Sequence, residues 1–254
     1  MPDFDTFARY YDADMGSFDE DLPLYRELAR REGGPVLDPM CGTGRVVVSL
    51  AKAGYRCAGV DIAPAMVELV EQKIREHALE GRLQATTGDV RHLELDGRFG
   101  LVVVPLNSFM HLETVAEQLA ALRSMRRHLR SDGLLVLDLF NPDPRELAAD
   151  QGVLVRDTSF VVDGVTVDKW ILRRSDWAAQ RHEVEFVYDS VDADGTLRRR
   201  SLPFVMRWLY RFEAEHLLAR AGYALEAVYG DYELGPFTSD SPQLLLLARP
   251  SRSN

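Results

Sequence analysis

The sequence predicts an α/β protein: a doubly wound, largely parallel sheet covered by helices on both faces, carrying a small antiparallel β insertion. Two patterns and a size argument lead there. From residue 22 to about 150, short buried apolar runs alternate with segments of helical periodicity, as in a parallel sheet with crossover helices. From 153 to about 209 strand-like runs separated by turns take over, and a helix and a strand pair then close the chain. With 254 residues, 46% of them hydrophobic, the chain can bury one core with a satellite, so one domain with an insertion is expected.

Each element has its own signal. "LPLYRELARRE" (22–32) has helical spacing, "GPVLD" (34–38) is a short buried strand, and "GRVVVSLAKAG" (44–54) is a helix closed by Gly54. "YRCAGVD" (55–61) is the second strand. In "APAMVELVEQKIREHALEG" (63–81) Pro64 lies near the first turn and Gly81 follows the last, the start and stop asymmetry of helices. "RLQATTGD" (82–89) and "FGLVVVPL" (99–106) are strands, with the helix between them short or missing. The helix "TVAEQLAALRSMRRHLR" (114–130) and the strand "GLLVLDLF" (133–140) follow.

Beyond "NPDPRELAAD" (141–150) come "VLVRDTSFVV", "VTVDKWILRRSDW", "HEVEFVYDSV" and "TLRRRSLPFVMRWLY". The turns "DGV" (163–165) and "DADGT" (192–196) separate two of the pairs, so antiparallel hairpins are expected. "RFEAEHLLARAGY" is helical again, and "ALEAVYGDYELG" with "SPQLLLLARP" forms a closing strand pair. The expected division is residues 1–150 and 210–250 for the helix-covered domain and 151–209 for the inserted sheet.

Composition excludes several classes. Forty acidic against thirty basic side chains give a formal charge of -10, which repels nucleic-acid phosphates and anionic lipid surfaces. No nucleic-acid or membrane partner is expected. Cys41 and Cys57 sit in or beside apolar runs, without the spacing of a disulfide framework or a zinc site, so no metal is expected. The acidic start lacks a leader's apolar stretch, and no run approaches the ~18 apolar residues of a membrane span. The expected location is cytoplasmic.

The stretch "VLDPMCGTGR" (36–45) turns the first strand into a helix through Gly42 and Gly44, where a ligand can approach backbone unshielded by a Cβ. A dinucleotide fingerprint requires a third glycine where Val47 stands, so a nicotinamide-dependent oxidoreductase fits poorly. Asp38, Asp61 and Asp89 instead close three buried strands at one sheet edge, each open to a plainer reading as a turn former or helix cap. Together with the glycines they favour a ligand that donates hydrogen bonds and carries positive charge.

"VLDPMCGTGR", "GVDIAPAM" (59–66) and "TTGDV" (86–90), in this order and spacing, resemble the first three motifs of the class I S-adenosylmethionine-dependent methyltransferases. The resemblance implies a seven-stranded sheet whose last strand is antiparallel, with S-adenosylmethionine as cofactor and S-adenosylhomocysteine as product. It places the backbone around Gly42 and Gly44, with Met40 and Cys41, on the methionine part, Asp38 towards its ammonium through water, and Asp61 on the ribose. It places Met66 near the adenine and Asp89 with Val90 on the adenine edge. Ile62, Gly88, Pro105, Leu106 and Tyr10 complete the implied cofactor set. "FARYYDADMG" (7–16) resembles the lid of this group, with Tyr10, Tyr11 and Asp12 as the residues concerned. A lid excludes water from the reacting centre, and packing of the two tyrosines on the core is the alternative.

On the acceptor side, "PLNSFMHLE" (105–113) lacks the tetrad of the nucleic-acid amino-methyltransferases and resembles instead the corner of small-molecule methyltransferases with an inserted sheet. "NPDP" (141–144) follows the fifth strand and lies at the wrong edge to supply that tetrad. Asn107, Ser108, Phe109 and His111 are candidates for the mouth of the site, with Met15 and Tyr11 from the lid. His111, the residue there with an ordinary pKa near neutrality, is the candidate base, and Tyr11 is placed beside it as catalytic. The alternative for His111 is that it begins the next helix and bonds a loop. In "FVMRWLY" (204–210) Phe204, Met206, Trp208 and Tyr210 share one strand face, and which face covers the substrate stays open. Phe204, Met206, Arg207 and Trp208 are the candidate acceptor contacts, Arg207 needing a carboxylate from the protein or the substrate.

The expected function is methyl transfer by in-line displacement to an N, O or C atom of a small-molecule metabolite, an aromatic or apolar one suiting the insert's large side chains. A non-catalytic regulatory protein that binds S-adenosylmethionine or S-adenosylhomocysteine is the alternative. A homodimer through an exposed edge of the insert is compatible with the sequence.

Overall fold

The computed structural model describes residues 4–149 and 151–251. Residues 1–3 and 150 of the expected domain division lie outside them. The principal sheet holds β1 (Val36–Asp38), β2 (Cys57–Asp61), β3 (Leu83–Thr87), β4 (Phe99–Val104), β5 (Leu129–Phe140), β10 (Tyr223–Tyr229) and β11 (Gln243–Pro250). Their order is β10-β11-β5-β4-β1-β2-β3, with β11 antiparallel to both neighbours, as the resemblance implies. The other pairs are parallel. Strands buried on both faces account for the unbroken apolar runs "FGLVVV" and "LLVL".

Two apolar layers flank this sheet. One packs the helix Val115–His128 and the helix Arg211–Arg220 on Val102, Val104, Leu135 and Leu137; the other packs the helices Leu22–Glu32 and Arg45–Lys52 on Val36, Leu101, Val103 and Val136. The alternation of Val and Leu along β4 and β5 therefore assigns successive residues to opposite layers. Thr114 begins the helix Val115–His128 with a capping box to Glu117, the pattern T-x-x-E. The expected short element between β3 and β4 is one 3₁₀ turn, Val90–His92. The strand β5 begins at Leu129, earlier than the apolar run at Gly133, because Leu129 pairs with Phe99 of β4.

The insertion is a separate four-stranded antiparallel sheet, β6 (Leu154–Val162), β7 (Val165–Asp176), β8 (Arg181–Val191) and β9 (Leu197–Arg207), in consecutive order. Its inner face carries Val167, Val184, Tyr188, Leu202 and Phe204 and packs on α1 (Phe4–Met15) and on Ala63 and Met66. The "FARYYDADM" segment, whose local structure the sequence left undefined, is thus a helix wedged between the glycine turn and the inserted sheet. Among the described residues, no helix is long and apolar enough to cross a membrane.

Candidate active site

Beyond Asp38 the chain turns through Gly42 (φ 54°) and Gly44 (φ 84°) into the helix Arg45–Lys52. Both need glycine's access to the left-handed region, and Gly44 also needs its lack of a side chain, since a Cβ there would stand 2.9 Å from a Val70 methyl. A Cβ on Gly42 would stand 3.6 Å from the Tyr11 ring, filling the gap between turn and lid. Asp61, at the tip of β2, accepts the Gly42 N–H at 2.8 Å and the Ala63 N–H at 3.0 Å, one on each oxygen. A carboxylate offers about four acceptor positions, so Asp61 retains capacity for hydroxyls brought by a ligand.

Asp38 is 1% exposed, and one of its oxygens accepts the Met40 N–H at 3.2 Å. Burial pushes its carboxyl up to about 8, the Met40 N–H opposing and Asp61 reinforcing the shift. The Cys41 thiol is buried and pushed well up, which excludes it as a nucleophile at neutral pH. Gly88 donates its N–H to the Asp61 carbonyl. Asp89 caps the 3₁₀ turn through the Arg91 N–H and pairs with the Arg91 guanidinium at 2.6 Å, which holds its carboxyl below the usual range. Val90 and Met66 are buried, and Ile62 is 39% exposed. Carboxylates with spare acceptor positions around a glycine turn suit a ligand carrying hydroxyls and positive charge, the chemistry of S-adenosylmethionine.

Consecutive residues on a helix point about 100° apart, and this divides the lid tyrosines. Tyr11 covers Gly42; Tyr10 turns away and stacks on Tyr188 of the inserted sheet, ring centroids 4.7 Å apart. Tyr10 is therefore a packing residue and leaves the cofactor set. Burial pushes the Tyr11 hydroxyl up to about 12, so it acts as a neutral hydrogen-bonding group and not as a base. Asp12 fastens the lid by accepting the Thr43 hydroxyl and pairing with Lys73 at 2.7 Å. Asp14 pairs with Lys169 of β7 at 2.6 Å. Met15 ends the helix.

The turn after β4 is held from below. Leu106 (φ 46°) and Asn107 (φ 64°) lie in a left-handed conformation costly for residues with a Cβ. Asp138 of β5 holds them, its carboxylate accepting the Leu106 N–H at 3.1 Å and its carbonyl the Asn107 N–H at 2.9 Å. Tyr25 and Tyr232 donate hydroxyls to the same carboxylate, which burial pushes up to about 6. The Asn107 side-chain oxygen accepts the Phe140 N–H. Pro105 is buried, and its carbonyl accepts the Ser108 hydroxyl at 2.7 Å.

His111 leaves this turn between Phe4 of the lid and Phe204 of β9, ring centroids 5.4 and 5.5 Å away. Its Nδ1 is buried with no partner among the described residues, and the ring bonds the Val205 backbone. Burial pushes the imidazole down to about 4, against the effect of the Val205 bond, so it is neutral at pH 7 with a free lone pair. It is the last residue of a 3₁₀ turn, Ser108–His111, and does not begin the next helix, which starts at Val115.

On the far side of Phe204 opens a cavity of about 770 Å³, whose lining includes neither His111 nor Tyr11. Asn107 and Phe140 line its sheet side, Ile171, His182, Phe204 and Met206 the inserted sheet, and Ser239–Pro242 its rim. Phe204 and Met206 are thus on this wall. Phe109 and Trp208 are not: both are 0% exposed in the core beneath. Arg207, on the opposite strand face from Met206, reaches the Glu113 carbonyl and Glu213 instead of the cavity. Met15 is likewise absent from the lining.

Sequence reasoning missed Asp138 and His182. Asp138 had a readable signal, one acid inside "LLVLDLF"; His182 was readable only as the strand-face neighbour of Val184 and Phe186.

With this geometry in place, the comparisons are specific. A family described as "Methyltransferase domain" matches residues 36–133. The chain is 28% identical to the cypemycin N-terminal methyltransferase of a Streptomyces species over 85% of this chain and 83% of that one. Among solved structures it resembles the CcbJ methyltransferase of Streptomyces caelestis, with a TM-score of 0.79, 22% identity, and 95% and 96% of the two chains covered. It also resembles CalS10 with bound S-adenosylmethionine, an amino pentose methyltransferase of Micromonospora echinaspora, with a TM-score of 0.71, 25% identity, and 92% and 91% covered.

Proposed function

We propose that this S-adenosylmethionine-dependent methyltransferase takes as acceptor a small molecule held in the cavity whose Phe204 wall abuts His111, and methylates it on an N–H or O–H group. The observation that carries this is the free Nδ1 of a neutral His111, placed between lid, β4 turn and inserted sheet. A buried lone pair is satisfied by a donor hydrogen, which amines and hydroxyls bring and a carbon acceptor lacks. The names of two relatives, an N-terminal and an amino pentose methyltransferase, favour an amine.

When bound, S-adenosylmethionine supplies a methyl group activated on a sulfonium. The glycine turn with Asp38, Asp61 and Asp89 would hold it, Tyr11 would cover it, and neutral His111 would orient the acceptor by accepting a hydrogen bond from its N–H or O–H, the proton passing to solvent after transfer. Alignment of this kind supplies about 7–11 kcal/mol in intramolecular analogues. The test is S-adenosylhomocysteine release from a panel of small amines and alcohols. At least one is expected to turn over, and His111→Ala to slow it about 100-fold with the affinity for S-adenosylhomocysteine unchanged. A variant as fast as the parent would remove His111 from the chemistry, and binding without turnover across the panel would favour a regulatory protein.

Asp38 adds a pH signature. Its carboxyl, at about 8 in the ligand-free protein, is mostly protonated at pH 7. An ammonium nearby favours the carboxylate. Binding of S-adenosylhomocysteine should therefore release a proton at pH 7, and affinity should rise with pH until about 8. Calorimetry in two buffers of different ionisation enthalpy measures that proton, and Asp38→Asn should abolish its release. A buffer-independent enthalpy in the parent protein would show that no cation reaches Asp38.

A further inference from the structure

The inserted-sheet wall of the cavity holds two polar groups that the protein leaves unsatisfied. His182 of β8 is 3% exposed, and its Nε2 has no hydrogen-bond partner among the described residues. Arg173 of β7 lines the same cavity, and its guanidinium has no ion pair or hydrogen bond among the described residues. By contrast Arg145, the other arginine on the lining, is tied to Asp143 at 2.6 Å and Asp240 at 3.1 Å. Ser175 pairs with His182 across β7 and β8, and Arg173 pairs with Val184. Arg173 and His182 are therefore diagonal neighbours, within joint reach of one small group.

The histidine's other nitrogen is fixed. Its Nδ1 lies 2.9 Å from the Ser175 hydroxyl, which accepts from the Gln151 amide at 2.8 Å and also lies 3.2 Å from the Leu147 carbonyl. The Ser175 hydroxyl can donate to the Leu147 carbonyl or to Nδ1, and an anion beside Nε2 selects the tautomer in which Nδ1 accepts and Nε2 carries the ring's hydrogen. The imidazole is neutral at pH 7, since burial and then Arg173 push it down to about 4. A neutral N–H donor beside an unpaired guanidinium forms an anion site. Around it Phe140, Ile171, Phe186 and Met206 supply apolar walls.

We propose that Arg173 and His182 recognise a carboxylate on the acceptor, so that the substrate is a molecule with an apolar or aromatic body bearing an anionic group at one end and the methylated N–H or O–H at the other. This rests on the cavity being the acceptor site. The spacing agrees: Phe204 stands against His111 and pairs with Val184, two residues from His182 on β8. At about 3.4 Å per residue His182 lies ~7 Å along the strand from this level, while Arg173, which pairs with Val184, lies level with Phe204 and two strands, ~10 Å, across from it, a span that one substituted ring covers.

Benzoate, benzamide and benzylamine serve as probes in calorimetry on the protein saturated with S-adenosylhomocysteine. Benzoate should bind at least about tenfold more tightly than either other compound. Arg173→Met should bring benzoate down to the level of benzamide, and His182→Phe, which keeps the wall filled, should weaken benzoate about threefold or more. In the parent protein, benzoate should also move the His182 Nε2 nitrogen resonance, a readout independent of either variant's folding. Equal affinity for the three probes, preference for benzylamine, no binding of any, or an unmoved His182 resonance would overturn the proposal. Because the series needs no turnover, its failure leaves the amine and alcohol panel standing, and failure of that panel leaves this series interpretable.

Discussion

Asp61→Ala is expected to weaken binding of S-adenosylhomocysteine by 100-fold or more while the protein remains folded. The carboxylate has two tasks. It accepts the Gly42 and Ala63 N–H groups, holding the glycine turn against the tip of β2, and it retains acceptor positions for the hydroxyls of a ribose. Hydrogen bonds to a charged group contribute about 1.5–3 kcal/mol each, so two lost ribose bonds correspond to roughly 3–6 kcal/mol, or about 10²–10⁴ in affinity. The stability effect should be smaller, because the Gly42 N–H lies at a turn that water can reach once the carboxylate is gone. Asp61→Asn separates the tasks: one amide oxygen still accepts from backbone, but the amide end donates where acceptance is needed, so affinity should fall nearly as far with a smaller loss of stability. Calorimetry with S-adenosylhomocysteine and a thermal melt of each variant measure both. Binding of the alanine variant within a few-fold of the parent would remove Asp61 from the ribose.

The cofactor side was legible for a physical reason. Asp38, Asp61 and Asp89 each end an apolar run, and Gly42 and Gly44 lie in a turn whose residues are consecutive, so strand ends and local spacing suffice to bring them together. The acceptor side depends on contacts between distant segments. Alternation on β9 separated Phe204 and Met206 from Arg207 but could not show that the strand ends at Arg207, after which Trp208 enters the core. A loop motif does not fix which way each of its residues faces, and Phe109 is a core anchor for the turn. Tyr10 and Tyr11 are adjacent in sequence, but their directions follow only from the helical phase of α1, on which they diverge. The ion pair of Asp14 with Lys169 spans 155 residues of sequence, and neither residue's neighbours point to the other.

That ion pair carries the largest expected loss of stability. Lys169 and Asp14 have side chains only 6% and 5% exposed, 2.6 Å apart, where the lid helix meets the inserted sheet. Lys169 also lies over the Phe186 ring at 4.2 Å and reaches Asp157 at 3.0 Å. Lys169→Met keeps the apolar stem and leaves Asp14 buried without its counter-charge, which costs about 3–5 kcal/mol for pairs of this kind. The pH dependence gives the sign. Burial already raises the Asp14 carboxyl above its usual value while Lys169 holds it down, so removing Lys169 raises it further. A carboxyl raised in the folded state favours folding only while protonated, and this contribution is lost as pH rises from the unfolded value near 3.8 through the folded one. The Lys169→Met deficit should therefore be largest near pH 7.5 and shrink towards pH 5. Adding Asp14→Leu should recover most of it, since two apolar residues replace a buried pair at little net cost. Urea unfolding of the three proteins at both pH values is the measurement. A deficit below about 1 kcal/mol at pH 7.5, or one independent of pH, would show that lid and inserted sheet are joined by their aromatic contacts alone. If the ion pair does join them, Lys169→Met should also weaken S-adenosylhomocysteine binding, although Lys169 lies outside the glycine turn, because the helix carrying Tyr11 and Asp12 is then held to the inserted sheet by its aromatic contacts alone.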